Sequence, residues 1–121
     1  MYEIYYLGET FSKIDGAQNH YAIVIDNRKI FSLAFNLLTS QYDEKSEKIK
    51  LHYYPIIDWK EAGLKKQTYV DILSLVEYDI AQIRKYAEHK GTLQKRDILG
   101  FVQFVKSYTY RLSKFNQNIE K

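Results

Sequence analysis

The sequence predicts a small α+β domain with its strands first and its helices last. Three observations predict it. Up to residue 76, short apolar runs rich in branched and aromatic residues alternate with turn-forming clusters, as strands do. From residue 78 the apolar spacing lengthens to a helical one. The 121 residues are 45% hydrophobic and 27% charged, enough for one core and too few for two. A single domain, 1–121, is therefore expected, with a sheet over 1–76 and helices over 78–116.

Tyr2–Leu7 is apolar and aromatic and stops at Gly8. Glu9–Asn19 is polar, contains Gly16 and reads as a loop. His20–Asp26 is a compact run rich in branched residues, a buried strand. Asp26-Asn27-Arg28-Lys29 makes a turn, because Asp and Asn side chains bond their own backbone. Ile30–Leu38 then returns as the second arm of a hairpin. Gln41–Lys48 holds three acids and two lysines and reads as an exposed loop. Ile49–Ile57 reads as a strand with Pro55 near its end, since proline cannot donate to a ladder. Asp58–Gln67 connects, with a helical turn at Trp59–Ala62, and Thr68–Val76 is the next strand. Asp79 caps a helix carrying Ile80, Ile83, Tyr86 and Ala87, which Gly91 ends. A longer helix puts Ile98, Phe101, Val102, Val105, Tyr108, Leu112 and Phe115 on one face, close to a heptad seam.

Charge and composition narrow the function classes. The chain has no cysteine, which removes disulfides and thiolate metal sites. Its first residues carry no basic, apolar leader, and no apolar stretch approaches the roughly 20 residues of a membrane span. A cytoplasmic protein that does not enter a membrane is expected. The net charge of +3 is uneven: residues 1–83 carry 9 Lys/Arg against 12 Asp/Glu, and residues 84–121 carry 9 against 3. The basic third either attracts a polyanion or is a solvated helix surface. The twelve tyrosines serve strands or base-contacting surfaces.

The segment Gly63-Leu64-Lys65-Lys66-Gln67-Thr68 lies between two apolar runs. Backbone amides, a hydroxyl and two cations on one loop suit a phosphate-bearing partner. Read with His20-Tyr21-Ala22-Ile23-Val24-Ile25-Asp26-Asn27 and Leu37-Leu38-Thr39-Ser40-Gln41, the segment resembles the PemK/MazF-like toxins of toxin–antitoxin systems. The resemblance spans roughly residues 18–90 of the sequence. Thr39-Ser40 looks like that family's strand-end Thr-Ser, and Gly63-Leu64 with Thr68 looks like its Gly-Leu loop. His20-Tyr21 stands where the family usually has Arg-Pro, and Thr68 where serine is commoner.

The resemblance implies a strongly curved antiparallel sheet, an SH3-like barrel, with a C-terminal helix and usually a homodimer. It implies metal-free cleavage of single-stranded RNA at short motifs, with an antitoxin protein blocking the groove. Such chemistry needs a base for the 2′-hydroxyl, a donor or cation for the phosphorane, and an acid for the leaving 5′-oxygen. Histidine titrates near neutral pH, so His20 can serve as base or acid. Thr39 is then the second catalytic residue, donating to the scissile phosphate. Ser40, Gln41, Lys65, Lys66 and Thr68 are expected to hold RNA. No cofactor is implied, and neither His52 nor His89 has companions at metal-ligand spacing. Trp59, Tyr53, Tyr54 and Tyr69 could stack bases or belong to the core. A second function class stays open: a non-catalytic module on the same barrel that binds RNA or a protein, as gyrase-poisoning toxins of the CcdB type or phage accessory proteins do.

Overall fold

The computed structural model describes residues 1–8 and 20–119; the loop expected over Glu9–Asn19 lies outside them. The elements run β1 (Glu3–Leu7), β2 (His20–Asp26), β3 (Ser32–Thr39), α1 (Glu47–Lys50), β4 (Tyr53–Pro55), β5 (Tyr69–Asp71), β6 (Val76–Asp79), α2 (Ile80–Tyr86), β7 (Glu88–Thr92) and α3 (Lys95–Ile119). Among the described residues, seven strands form one antiparallel sheet: six run in the order β4-β5-β3-β2-β1-β7, and β6 pairs with β3 off that path. The eight residues of β3 serve two partners on one edge: Ser32–Phe35 pair with β6 and Leu38–Thr39 with β5.

The expected α+β domain, with a curved antiparallel sheet and a C-terminal helix, is the one observed. Register shifts at Ile4/Tyr5 and Val24/Asp26 bend the strands, because an extra residue raises the local twist. The sheet is not closed into a barrel; β4 and β7 are its two ends. A helical turn stands between those ends, with Ala62 N–H donating to Asp58 O and Leu64 N–H to Trp59 O, both at 3.0 Å. Gly63, at φ +92°, lays its backbone directly on Lys90–Gly91 of β7, where a Cβ would strike the Lys90 carbonyl. The two ends thus meet through a loop–strand contact rather than a ladder.

Both faces of the sheet are covered, which explains the unbroken apolar run of β2. Ile23 joins Ile4, Leu38, Ile56 and Val70 on the face packed by Phe101 of α3. Ala22 and Val24 join Leu7, Phe35 and Tyr78 on the face packed by Ile83 of α2. Ile4, Ile23, Phe35 and Ile56 are 0% exposed, and burying one such side chain contributes about 1.5–3 kcal/mol. Farther along α3, Arg111 donates to the carbonyls of Leu51 and Phe104 and lies 3.8 Å over the Phe104 ring. No helix among the described residues is long and apolar enough to cross a membrane.

Several boundaries differ from the sequence reading. Ser46 accepts from Ile49 N–H and caps α1, so only Tyr53–Pro55 of the expected 49–57 strand is extended. Pro55 does close an edge strand. The expected strand 68–76 breaks at Asp71, whose carboxylate accepts from Leu73 N–H and whose carbonyl accepts from the Ser74 hydroxyl. Side-chain bonds then join this break to β3, with Leu37 N–H donating to the Ser74 hydroxyl and the Asn36 amide donating to Ser74 O. Ile30 and Phe31 precede β3 and are exposed. The helix after Asp79 ends at Tyr86, and Gly91 sits in β7 against Ile4, so the sheet extends to residue 92. Asp79 occupies the N-cap but makes no side-chain cap bond.

Candidate functional site

The strand register builds the site. Ala22 pairs with Leu37 at the end of the β2–β3 ladder, and the strand residues beyond it, as far as His20 and Thr39, line one groove. Leu7 pairs with His20 on one side, and Thr39 with Tyr69 on the other. The Leu7–His20 and Thr39–Tyr69 pairs thus flank that groove, with Cα atoms in such pairs about 4.5–5.5 Å apart. The loop 64–68, running back from the turn beside β7, adds Leu64, Lys65, Lys66 and Thr68 to the groove.

A groove of about 330 Å³ results, lined by His20, Tyr21, Leu38, Thr39, Ser40, Gln41, Leu64, Lys65, Lys66 and Thr68. All seven site residues expected from sequence line it, although they come from three separate stretches of chain. His20 and Thr39 are half-buried; Ser40, Gln41, Lys65 and Lys66 are exposed. Thr39 Oγ1 accepts from Gln41 N–H at 3.1 Å, which turns the chain at the strand end and leaves its O–H to donate. The lining holds two lysines and no carboxylate, so it favours an anion.

Thr68 has a different place from the one expected. It is buried, and its hydroxyl donates to Lys66 O at 2.9 Å. The Gln67 amide donates to Ile56 O at 2.9 Å. These bonds shape the loop that presents Lys65 and Lys66, so Thr68 positions the lysines and its hydroxyl is already committed.

Beyond Gln41 the groove meets an aromatic pair that sequence reasoning does not assemble. Tyr42 stacks on Tyr69 with ring centres 4.2 Å apart and planes 4° off parallel. Lys50 Nζ lies 5.0 Å from the Tyr42 ring centre. Of the aromatics read from sequence as possible stackers, Tyr54 is buried and Trp59 packs against the core.

A second residue that the sequence hides is Asp97, in the first turn of α3 and 0% exposed. Its carboxylate accepts from the Tyr54 hydroxyl at 2.7 Å, Ile57 N–H at 2.9 Å and Asp58 N–H at 2.8 Å. Burial, and then the bond to Asp97, push the Tyr54 hydroxyl pKa above the ordinary tyrosine value. Asp58 in turn receives Arg96 at 3.1 and 2.5 Å. An acid in a helix's first turn is ordinarily a solvated partner of the dipole, so only the fold reveals its burial.

The other histidines lie elsewhere. His52 Nδ1 is 3.0 Å from Asp71 Oδ1, in the turn before β4. His89 is not at a helix end but in β7, edge-on to Tyr5 at 5.3 Å. Among the described residues, no three His, Asp or Glu side chains are grouped to hold a metal ion. No protein-family model matches the chain, and neither a curated protein nor a solved structure does.

Proposed function

We propose that the chain is a metal-independent endoribonuclease of the PemK/MazF toxin kind, cutting single-stranded RNA in the groove beside β2 and β3. The observation that carries this reading is the convergence of His20, Thr39, Lys65 and Lys66 on one acid-free groove. In this reading His20 removes the proton from a 2′-hydroxyl. The 2′-oxygen attacks the adjacent phosphorus, the bond to the 5′-oxygen breaks, and the leaving oxygen takes a proton from solvent. The Thr39 hydroxyl and the two ammonium groups hold the charge that builds on the phosphorane. Ser40 and Gln41 contact the flanking nucleotide. The setting is cytoplasmic, the active form a homodimer, and an antitoxin protein covers the groove.

A second reading has one observation in its favour. The groove has a single histidine and no carboxylate, whereas cleavage is fastest with both a base and an acid. A module that binds RNA or a protein without cutting fits that lining too. The test is incubation of a long, weakly structured RNA with purified protein in EDTA, alongside His20→Ala and Thr39→Ala. Discrete fragments that fall by about 10²–10⁴-fold in rate for His20→Ala support the nuclease. Intact RNA with folded native protein overturns it and leaves the binding module.

A further inference from the structure

We infer that the Tyr42–Tyr69 pair is a base-stacking subsite for the nucleotide next to the phosphate held at Thr39. The inference rests on the RNA reading of the groove and adds to it a place for a base.

Three observations converge. The first is register: Tyr69 is the β5 partner of Thr39, so its ring starts one ladder step from the proposed phosphate position. Tyr42 follows Gln41, the last groove residue of that segment, and brings its ring flat against Tyr69. The second is geometry. Both rings are half-buried, so each keeps surface open to solvent beside the groove. A parallel pair of aromatic rings is a surface on which a third flat ring continues the stack.

The third observation is the charge that flanks the groove and the tyrosine pair. Lys65 and Lys66 line the groove together with Thr39. Burial and then Asp43 raise the Tyr69 hydroxyl pKa, and burial, then Asp71 and Glu44, raise that of Tyr53. Lys50 Nζ lies 5.0 Å over the Tyr42 ring, so both signs of charge flank the stacked pair. With the register and the stacked rings, this leaves the lysines to hold the sugar–phosphate chain and the tyrosines to take a base. Stacking reads a π-face rather than an edge, so the subsite accepts any base and prefers the larger ones.

The test compares two single-stranded probes of equal length and charge in fluorescence anisotropy. One is a random-sequence 2′-O-methyl oligoribonucleotide, which the nuclease cannot cut. The other is the same backbone without bases. Native protein is expected to bind the base-bearing probe about tenfold more tightly than the abasic one. That preference should collapse in Tyr42→Ala and Tyr69→Ala and persist in Tyr42→Phe and Tyr69→Phe, while affinity for the abasic probe stays put in all four. If native protein binds both probes alike, the subsite is overturned and the RNA groove stands; that arm needs no variant to fold. A preference that survives loss of either ring overturns the subsite as well. If folded native protein binds neither probe, the RNA reading fails and the subsite with it.

Discussion

Residues 57–58 and residues 65–66 belong to one connecting segment, yet they are treated in opposite ways. At the first, the backbone N–H groups of Ile57 and Asp58 both end on the buried Asp97 carboxylate, and Arg96 holds the Asp58 side chain. At the second, Lys65 and Lys66 stand exposed on a loop whose internal bonds are made by Gln67 and Thr68. Buried polar groups cost free energy unless paired, so the first end is fully paired and rigid. Open polar groups can bind something else, so the second end is free to act. The anchor fixes one end of the segment, and the other end presents two exposed cations to the groove that His20 and Thr39 also line.

Asp97→Ala attacks this contrast most directly. It should lower stability by about 3 kcal/mol, because three donors lose a buried acceptor, read as a shifted midpoint in urea. His20→Ala, on the groove side, should move the same midpoint by less than about 0.5 kcal/mol. Equal effects would erase the distinction between the two ends. Next comes Gly63→Ala, at the joint between anchor and loop. A positive φ and a Cβ aimed at the Lys90 carbonyl should cost about 2 kcal/mol. Weaker RNA binding should accompany that loss, since the lysine loop starts at this residue; a stable variant with native affinity would show the loop to be aimed from elsewhere.

The smallest effect concerns the anchor's own hydroxyl. Tyr54 in the fold has a pKa above the ordinary value of 10.0. The folded state therefore keeps this proton after the unfolded state has lost it, and stability falls as pH rises above about 10. Tyr54→Phe should cost about 1 kcal/mol at neutral pH, and its stability should fall less steeply above pH 10 than the parent's. A parallel fall in both proteins would assign the alkaline loss to other tyrosines.

The groove is legible in the sequence to an unusual degree, because its residues announce themselves by type at strand ends and on a Gly-Leu loop. His20, Thr39, Ser40, Gln41, Lys65 and Lys66 all reach it. Thr68 lines it in another role, since a hydroxyl's partner cannot be read from its neighbours in sequence. Asp97 is invisible for the converse reason: burial of a helix-start acid depends on what the fold stacks above it. Tyr42 escapes notice because its stacking partner is 27 residues away, in a strand that pairs only after β3 has folded back.

Apolar period and turn chemistry are local properties, and they are enough to set the class of fold, an α+β arrangement with a C-terminal helix. The hairpin of β2 and β3 and the doubly buried character of β2 follow from the same local signals. Long-range packing settles the rest: β3 divides its edge between β5 and β6, Gly63 meets Gly91 across an open sheet, and Asp97 holds the 57–58 turn. Each of these depends on contacts between residues far apart in the chain, where the outcome turns on steric fit and on which buried donor finds which acceptor.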